Sequence, residues 1–357
     1  MAAREFMQRI RIDRPGGYDR LQLETAPDLQ AGEGQLRIAV SACGVNFADC
    51  AVRMGLYESA KRYVGWPITP GFEVAGVVDQ LGPGLGDWQP GQRVMAMTRF
   101  GGYATQLVCK PEFVRPIPLD WTDAQAAAWP VAFLTAWYGL YHLGQAQAGD
   151  TVLIHSAAGG VGQALVQLAR VRGCKTFGVV SGAHKLDQVR KLGCDEVVDR
   201  AATDWRAAAR AFAPAGYAVA LDANGVDTLA DSYDLTGSAG RLIVYGFATM
   251  LRRGGSGKPD WLKLAWSWLR TPRFNPLELT TTNRSVLAFN LSFLFDRTDI
   301  LYKAFGELWP LVLSGQLQPL ATSPFALAEA AQAHGQLEGG RTMGKLVLMA
   351  GPVVTQG

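Results

Sequence analysis

Residues 151–246 alternate short apolar runs with segments whose apolar residues recur at helical spacing. The runs are TVLIH, KTFGVV, EVVD, AVALD and RLIVYG, and the helices between them are predicted at residues 163–172, 183–192, 204–212 and 226–235. Strands connected through helices lie parallel, because each crossover returns the chain to the same edge of the sheet. The alternation therefore predicts an α/β domain, a doubly wound parallel sheet with helices on both faces.

The rest of the chain predicts a second, β-rich domain. Between Gln35 and Gly91, the runs LRIAVSACGV, EVAGVVDQLG and RVMAM are separated by Gly and Pro, which is typical of a compact, strongly twisted sheet. After the parallel sheet come a strand-like SVLAFNLSFL, helices near residues 299–314 and 325–337, and a final strand KLVLM. The pattern at residues 250–285 predicts no element. A chain of 357 residues is long enough for two domains.

A glycine-containing turn, HSAAGGVG at residues 155–162, joins the first strand of the parallel sheet to its helix. Gly159 and Gly162 lack a Cβ and let the backbone approach a pyrophosphate, and the helix starting near Gly160 presents unpaired N–H groups and the positive end of its dipole. At the first crossover of a parallel sheet, this combination predicts a dinucleotide-binding site. The alternative is a tight turn with only a structural role.

The end of the second strand indicates which dinucleotide is bound. Sites that prefer NAD place a carboxylate there for the ribose hydroxyls, but KTFGVVSGAHK carries no acid. Ser181 can donate to a 2′-phosphate, Lys185 can neutralise it, and Arg200 after the third strand can add a bidentate contact. We therefore expect NADPH as the cofactor. The alternative for Lys185 and Arg200 is a solvated surface charge.

Charge and composition argue against several other classes of function. The 34 basic and 31 acidic residues are spread along the chain, so no basic patch for nucleic acid is present. Five cysteines without zinc-like or CxxC spacing favour buried thiols in a reducing compartment. The N-terminus carries charges where a signal peptide needs apolar residues, and the longest apolar region, Ala126 to Tyr141, contains Pro130 and is shorter than the ~20 residues of a membrane-spanning helix. We expect a cytoplasmic protein.

Seven short motifs are distributed along most of the chain. They are GVNFADCAVRMGLY (44–57), PITPGFEVAGVV (67–78), GQRV (91–94), GGYATQLV (101–108), FLTAWYGL (133–140), HSAAGGVG (155–162) and MGKLVL (343–348). Together they resemble the zinc-independent quinone oxidoreductases of the medium-chain dehydrogenase/reductase superfamily. Residues 221–250 and 274–294 are most similar to its subgroup of the synaptic vesicle amine transport protein and homologues. The resemblance implies a GroES-like catalytic domain at residues 1–129 and 296–357, a Rossmann domain at residues 130–295, and a homodimer or larger oligomer.

The resemblance also implies that the site holds no metal. Metal-dependent relatives have a zinc ligand cysteine at the position of Asn46 and a ligand histidine at the position of Phe72. Alcohol dehydrogenases commonly use a metal ion to polarise the carbonyl group, so a site without a metal argues against alcohol oxidation. We expect instead hydride transfer from NADPH to a quinone or to the C=C bond of an α,β-unsaturated carbonyl, because these acceptors need little electrophilic help once they are positioned.

Candidate site residues follow from the glycine turn and from the resemblance. Asn46 and Tyr57 are expected to be catalytic, with Asn46 beside the nicotinamide and Tyr57 as a hydrogen-bond donor in the pocket. The expected cofactor-binding residues are Asn46, Thr135, Ser156, Gly159, Gly160, Val161, Gly162, Ser181, Lys185, Arg200, Asn224, Gly246, Phe247 and Lys345. The alternatives are a packing role for Tyr57 and a turn-forming role for Asn46. We interpret Asp49 and Glu73 as internal hydrogen-bond and charge partners.

Residues 258–274, KPDWLKLAWSWLRTPRF, combine three tryptophans with basic side chains. The favoured interpretation is a lid over the substrate pocket or a dimer contact, and the alternative is a contact with a membrane interface. A second hypothesis for the function accompanies that alternative. It is an NADPH-binding protein with little catalysis that acts through a membrane or protein partner.

Overall fold

The computed structural model describes residues 6–251 and 254–351. Its strands are β1 (Phe6–Arg11), β2 (Gln22–Pro27), β3 (Leu36–Val45), β4 (Glu73–Leu81), β5 (Arg93–Met97), β6 (Gln106–Cys109), β7 (Val114–Pro116), β8 (Thr151–His155), β9 (Lys175–Val180), β10 (Glu196–Asp199), β11 (Tyr217–Asp222), β12 (Thr236–Val244), β13 (Ser285–Ala288), β14 (Thr322–Ala326) and β15 (Lys345–Met349). Its α-helices are α1 (Phe47–Arg53), α2 (Glu58–Tyr63), α3 (Asp123–Ala127), α4 (Pro130–Trp137), α5 (Gly160–Arg172), α6 (Leu186–Lys191), α7 (Trp205–Phe212), α8 (Leu229–Leu235), α9 (Trp261–Arg270), α10 (Pro276–Thr282), α11 (Thr298–Leu313) and α12 (Ala330–Glu338).

These elements belong to two compact units. The described residues within 1–131, 253–259 and 319–357 form the first unit, and those within 132–252 and 260–318 form the second. The return to the first domain, predicted at residue 296, comes later in the structure, because α11 belongs to the second unit. The Trp137 indole N–H donates to Glu307 of α11 over 2.8 Å and helps to hold the helix there.

The first unit is built on a mostly antiparallel sheet with the strand order β14–β15–β3–β4–β5–β7, and β6 pairs with β3. Along β3, Leu36, Ile38 and Val40 are buried and the residues between them are half-buried, the period-two pattern of a strand with one face in a core. The β-rich domain predicted from the sequence is confirmed. The helix expected at residues 325–337 begins only at Ala330, because residues 322–326 pair with β15.

The second unit is built on a parallel sheet with the order β10–β9–β8–β11–β12–β13. Counted within the unit, this is the strand order 3-2-1-4-5-6 of doubly wound dinucleotide-binding folds. The predicted doubly wound parallel sheet is therefore confirmed. The strand order reverses between β8 and β11, and ligands of such sheets bind at the carboxyl ends of the strands at this point.

Residues 250–285, for which the sequence predicted no element, hold α9 and α10. The Asp260 side chain caps α9 by accepting from the Lys263 N–H, and the Asn275 side chain caps α10 by accepting from the Leu277 N–H, each over 3.0 Å. The three tryptophans of α9 are 61–67% exposed. Within the described ranges, no helix is long and apolar enough to cross a bilayer.

Helix α5 packs closely on the turn before it because Gly162 has no side chain. A Cβ there would collide with the Ser156 carbonyl oxygen and lie 2.7 Å from the Ala157 Cα. Both are backbone atoms and cannot swing aside as a flexible side chain can. Gly306, exposed on α11, is the opposite case, because a Cβ there meets nothing within 4 Å.

We therefore expect Gly162→Ala and Gly306→Ala to change stability in opposite directions. Alanine at position 162 forces the backbone apart and lowers the free energy of unfolding by roughly 1–3 kcal/mol. Alanine at position 306, in an exposed helix interior, raises it by up to about 1 kcal/mol. Urea unfolding of the wild type and both variants measures the two changes. Equal stability of the two variants would contradict the close packing of α5.

Candidate cofactor and active site

The turn after β8 forms a cradle of backbone groups. Ser156 has a left-handed backbone with φ of 53°, and its carbonyl accepts from the Gly159 N–H over 2.9 Å. Gly159 is extended, and α5 begins directly after it. The first turn of a helix leaves N–H groups without intrahelical partners, so Gly160, Val161 and Gly162 present theirs at the positive end of the dipole. This geometry fits the pyrophosphate of a dinucleotide.

The loop after β11 is held by the buried carboxylate of Asp222. One of its oxygens accepts from the backbone N–H groups of Asn224 and Gly225, and the other from the hydroxyls of Thr228 and Ser232, over 2.7–3.0 Å. The loop places the Asn224 side chain where its Oδ1 accepts from the Ser156 hydroxyl over 2.9 Å. Asp222 is not among the site residues predicted from the sequence. Its signal was an acid at the end of an apolar strand, AVALD, before an Asn-Gly pair.

Ser181 and Lys185 follow the carboxyl end of β9, and Arg200 follows the neighbouring β10. The Lys185 Nζ donates to the Ser181 Oγ over 3.3 Å, and the Arg200 N–H donates to the Val180 carbonyl over 3.0 Å. The structure thus brings these three predicted residues to one part of the sheet edge. Lys185 is 5% exposed and therefore is not a solvated surface charge.

Gly246 and Phe247 follow β12, beside the Asp222 loop. A Cβ at Gly246 would lie 2.9 Å from the Ala223 carbonyl oxygen, and Phe247 is half-exposed. Thr135 is buried on α4. Apart from Thr135, the cofactor residues predicted in this unit lie at the carboxyl ends of β8 to β12.

In the first unit, Asn46, Glu73 and Lys345 form a closed ring of hydrogen bonds. The Lys345 Nζ lies 2.5 Å from the Asn46 Oδ1 and 2.7 Å from the Glu73 Oε1, and the Asn46 Nδ2 donates to the same Glu73 oxygen over 2.9 Å. The sheet brings them together, because β3 lies between β4 and β15 and its last residues meet the first residues of both. The other oxygen of Glu73 accepts from the Val131 N–H over 2.7 Å.

Gly44 makes room for this ring. A Cβ at Gly44 would collide with the Glu73 carboxylate and with the Ala127 carbonyl oxygen. The glycine of the GVN motif therefore allows the buried carboxylate to approach β3.

Asp49 fixes the backbone of Asn46. Its two oxygens accept from the N–H groups of Asn46 and Gly71, each over 2.8 Å. Burial raises the pKa of Asp49 to about 7, although these hydrogen bonds oppose the rise. Asn46 is thus held by Asp49 through its backbone and by Glu73 and Lys345 through its side chain.

Tyr57 lies in an aromatic cluster rather than in the Asn46 ring. It is half-buried at the start of α2, and its ring meets Phe72 edge-on with the centroids 5.7 Å apart. Phe72 in turn packs on Phe100 at 5.3 Å. Phe72, where the resemblance places the zinc-ligating histidine of metal-dependent relatives, is therefore part of an aromatic cluster.

Another buried cluster in the described part of the first unit brings three potential metal ligands, Cys50, His334 and Glu338, within 4.8 Å of one another. Arg53 already engages two of them, since its guanidinium donates to the Glu338 Oε1 over 2.5 Å and to the His334 Nδ1 over 3.3 Å. Burial lowers the pKa of His334 to about 3 and raises the pKa of the Cys50 thiol. The cluster is therefore an internal ion-pair site. The cluster is not predicted from the sequence, because Arg53 and Glu338 are 285 residues apart.

Two family models match the chain. The alcohol dehydrogenase GroES-like domain matches residues 32–118, and the zinc-binding dehydrogenase model matches residues 192–348. Among curated proteins, the human synaptic vesicle membrane protein VAT-1 homolog is 34% identical over 340 residues, which are 94% of this chain and 85% of that protein.

Solved structures give the same architecture. Escherichia coli quinone oxidoreductase, crystallised in complex with NADPH, has a TM-score of 0.81 at 26% identity over 96% of this chain and 99% of that one. CurK enoyl reductase has a TM-score of 0.83 at 25% identity with the same coverage. The GroES-like and Rossmann architecture expected from the sequence is confirmed.

The buried Asp49 predicts a specific pH dependence of stability. Its folded pKa of about 7 lies above the ordinary value of ~4 that it regains on unfolding. The native state therefore keeps a proton that the unfolded chain releases, so this stabilisation is complete below about pH 4 and is lost as pH rises through about 7. The slope is at most about 1.4 kcal/mol per pH unit.

Denaturant unfolding between pH 5 and 8 measures this effect. We expect the stability advantage of the wild type over Asp49→Asn to shrink as pH rises, with an inflection near pH 7. Asp187→Asn, at an exposed carboxylate, is the matched control and should run parallel to the wild type. A constant difference between wild type and Asp49→Asn would show that Asp49 does not titrate in this range.

Proposed function

Because the chain belongs to the medium-chain dehydrogenase/reductase superfamily, in the group that holds the quinone oxidoreductases and the VAT-1 homologues, we propose that it is an NADPH-dependent, metal-free reductase. Its acceptor is a quinone or the C=C bond of an α,β-unsaturated carbonyl. The observation that carries this proposal is the Ser156–Gly162 cradle at the point where the strand order reverses, with Asn224 bonded to Ser156 across it. The NADPH complex of the bacterial quinone oxidoreductase and the enoyl reductase fold support it.

We assign the pyrophosphate to the backbone of Gly159, Gly160, Val161 and Gly162, with Ser156 and Asn224 beside it. Ser181, Lys185 and Arg200 take the 2′-phosphate, since they offer a hydroxyl and two cations at the end of β9 and β10. Gly246, Phe247 and Thr135 complete the proposed cofactor site in the second unit, and Asn46 keeps the place beside the nicotinamide that the resemblance implies.

The donor set of the first unit supports chemistry without a metal. Asn46 offers an amide where metal-dependent relatives carry a thiolate, and its oxygen is already bonded to an ammonium group. Phe72 offers no ligand atom, and the Cys50–His334–Glu338 cluster is engaged by Arg53. The zinc-binding dehydrogenase model matches residues 192–348 and includes neither position 46 nor position 72, the two positions at which the resemblance places the zinc ligands of metal-dependent relatives.

Bound NADPH would supply the hydride. The side chains of this protein then have to orient the acceptor and stabilise the negative charge that it gains. Asn46 and the Tyr57 hydroxyl are the donors that we assign to the acceptor's carbonyl oxygen. Water can protonate the resulting enolate or hydroquinone anion, so no strong acid is required from the protein.

An acceptor panel tests this proposal. We expect purified protein to oxidise NADPH with quinones or α,β-unsaturated ketones, and the rate to survive dialysis against a chelator. NADPH should be preferred over NADH, and Lys185→Met should raise the KM for NADPH by about tenfold while leaving the KM for NADH nearly unchanged, because one charge-assisted contact to the phosphate is lost. Steady-state kinetics from the absorbance of the reduced nicotinamide provide all of these values.

Three results would contradict parts of the proposal. Activity that disappears with chelator and returns with zinc would exclude the metal-free mechanism. A larger thermal shift with NADH than with NADPH would exclude the assignment of Ser181 and Lys185. A thermal shift with NADPH but no turnover of any acceptor would favour the second hypothesis, an NADPH-binding protein that acts through a membrane or protein partner.

The subunits are proposed to form a homodimer. Strand β13 lies at the end of the parallel sheet, and the exposed apolar side chains of α9 and α10, among them Trp268 and Leu277, belong to the same unit. Buried free thiols at all five cysteines support the further proposal of a reducing, cytoplasmic location.

Light scattering tests the dimer. We expect a mass of twice 38.5 kDa for the wild type, and the monomer mass for Trp268→Asp or Leu277→Asp, because a charge on an apolar contact opposes association. Leu119→Asp, at a fully exposed leucine of the first unit, is the control and should remain dimeric. If both variants remain dimeric, α9 is not the dimer contact, and its remaining interpretations are a lid or a membrane contact.

A further inference from the structure

The ring of Asn46, Glu73 and Lys345 fixes the direction of an amide group. An asparagine side chain normally can rotate to exchange its oxygen and its NH2. Here the oxygen faces the Lys345 ammonium, which can only donate, and the NH2 faces the Glu73 carboxylate, which can only accept. A rotated amide would place hydrogens against hydrogens and oxygen against oxygen. The orientation is therefore imposed by the two charges.

The ring uses one of the two amide hydrogens. Lys345 and Glu73 contact each other at 2.7 Å, so the amide hydrogen on the same side as the Asn46 oxygen is the one that Glu73 accepts. The second hydrogen has no acceptor within the described parts of the chain. Glu73 and Lys345 are 0% and 5% exposed, and Asn46 keeps 9%. Of the three residues, Asn46 retains the largest exposed fraction.

Because Lys345 is buried, its ammonium group interacts little with a bound molecule directly. Its ammonium group is paired with Glu73 inside the protein, and two of its three hydrogens are committed to Glu73 and Asn46. The charges of such a pair largely cancel at a distance. The ammonium group therefore acts on a neighbouring molecule mainly through the amide that it polarises and orients.

We propose that Glu73 and Lys345 are positioning residues that make Asn46 an obligate hydrogen-bond donor to a carbonyl oxygen of the acceptor. This inference rests on the proposed reductase function, and it applies to both proposed acceptors because a carbonyl oxygen becomes negative in each. NADPH would supply the hydride and be oxidised to NADP+ as its nicotinamide C–H bond breaks. In an enone, a C–H bond forms at the β-carbon, the C=C π pair shifts to the bond between the α-carbon and the carbonyl carbon, and the carbonyl π pair moves to the oxygen as an enolate. A quinone correspondingly becomes its hydroquinone monoanion, and in both cases a proton from water completes the reduction.

Lys345→Met, Lys345→Arg and the charge-balanced double variant Glu73→Gln/Lys345→Met test the proposal. The double variant is included because Lys345→Met alone leaves a buried carboxylate without its cation and can fail to fold. We expect kcat to fall by about 10- to 100-fold in the double variant, less than the roughly 100- to 1,000-fold for outright loss of an oxyanion donor, because the amide remains but is no longer fixed. Lys345→Arg should recover part of the loss. The Kd for NADPH, measured by calorimetry, should stay within about twofold. Lys110→Met, which removes an exposed lysine paired with Glu112, is the matched control with unchanged kcat.

A spectroscopic measurement tests the amide itself, independently of turnover. In protein labelled with 15N-asparagine, the Asn46 NH2 signals are assigned by their loss in Asn46→Asp. We expect two widely separated proton shifts in the wild type, because one hydrogen is bonded to a carboxylate, and a much smaller separation in the double variant.

These results separate the two proposals. If the wild type reduces no acceptor, the reductase function fails, and the NMR shifts still decide whether the amide is fixed. If the wild type is active, an unchanged kcat in the double variant overturns the positioning role. A loss that appears only as weaker NADPH binding also overturns it, because Lys345 would then be a direct cofactor ligand.

Discussion

A carboxylate buried away from water requires several hydrogen-bond donors, because its charge is otherwise too costly to remove from solvent. This requirement organises the candidate site residues of each unit. Asp222 takes its donors from the loop that carries Asn224, and Glu73 takes its donors from Asn46, Lys345 and Val131. The donors belong to the segments that form the candidate site. The hydrogen bonds that satisfy each buried carboxylate therefore also hold the site segments in place.

In the first unit, contacts between buried polar side chains extend further from the candidate site. A hydrogen-bonded chain runs from Glu338 through Arg53 and His334 to Tyr103. Tyr103 interacts electrostatically with Asp49, which accepts from the backbone of Asn46. The low pKa of His334, about 3, keeps its ring neutral. Its Nδ1 accepts from Arg53, so its Nε2 carries the hydrogen and donates to the Tyr103 hydroxyl. Asn46 is thus anchored on one side by a network of buried charges and on the other by an ion pair.

The elements of the parallel sheet could be predicted from sequence because their signals are local. Apolar runs of strand length, helical spacing and the glycines of residues 159–162 each act within about ten residues, and the observed strand order agrees with them. The pairing of Asn46 with Lys345 could not be predicted, since the residues are 299 positions apart and no local pattern in either motif indicates the other as its partner. Helices α9 and α10 also escaped prediction, because their apolar residues face outward and produce no core-facing stripe. The resemblance supplied Lys345 as a site residue, and only the structure gave it Glu73 and Asn46 as partners.

The short segment at residues 254–259 belongs to the first unit, although the chain on both sides of it belongs to the second. It is fastened there by the Tyr18 N–H, which donates to the Ser256 carbonyl over 3.1 Å, and by the Arg53 guanidinium at Gly257. Neither unit is therefore encoded by one uninterrupted stretch of the gene. A single deletion therefore cannot leave one unit intact. Recombination that exchanges a whole unit between relatives would need breakpoints at several places in the gene. Divergence within such a family is then expected to proceed by point substitution in place, with the two halves inherited together.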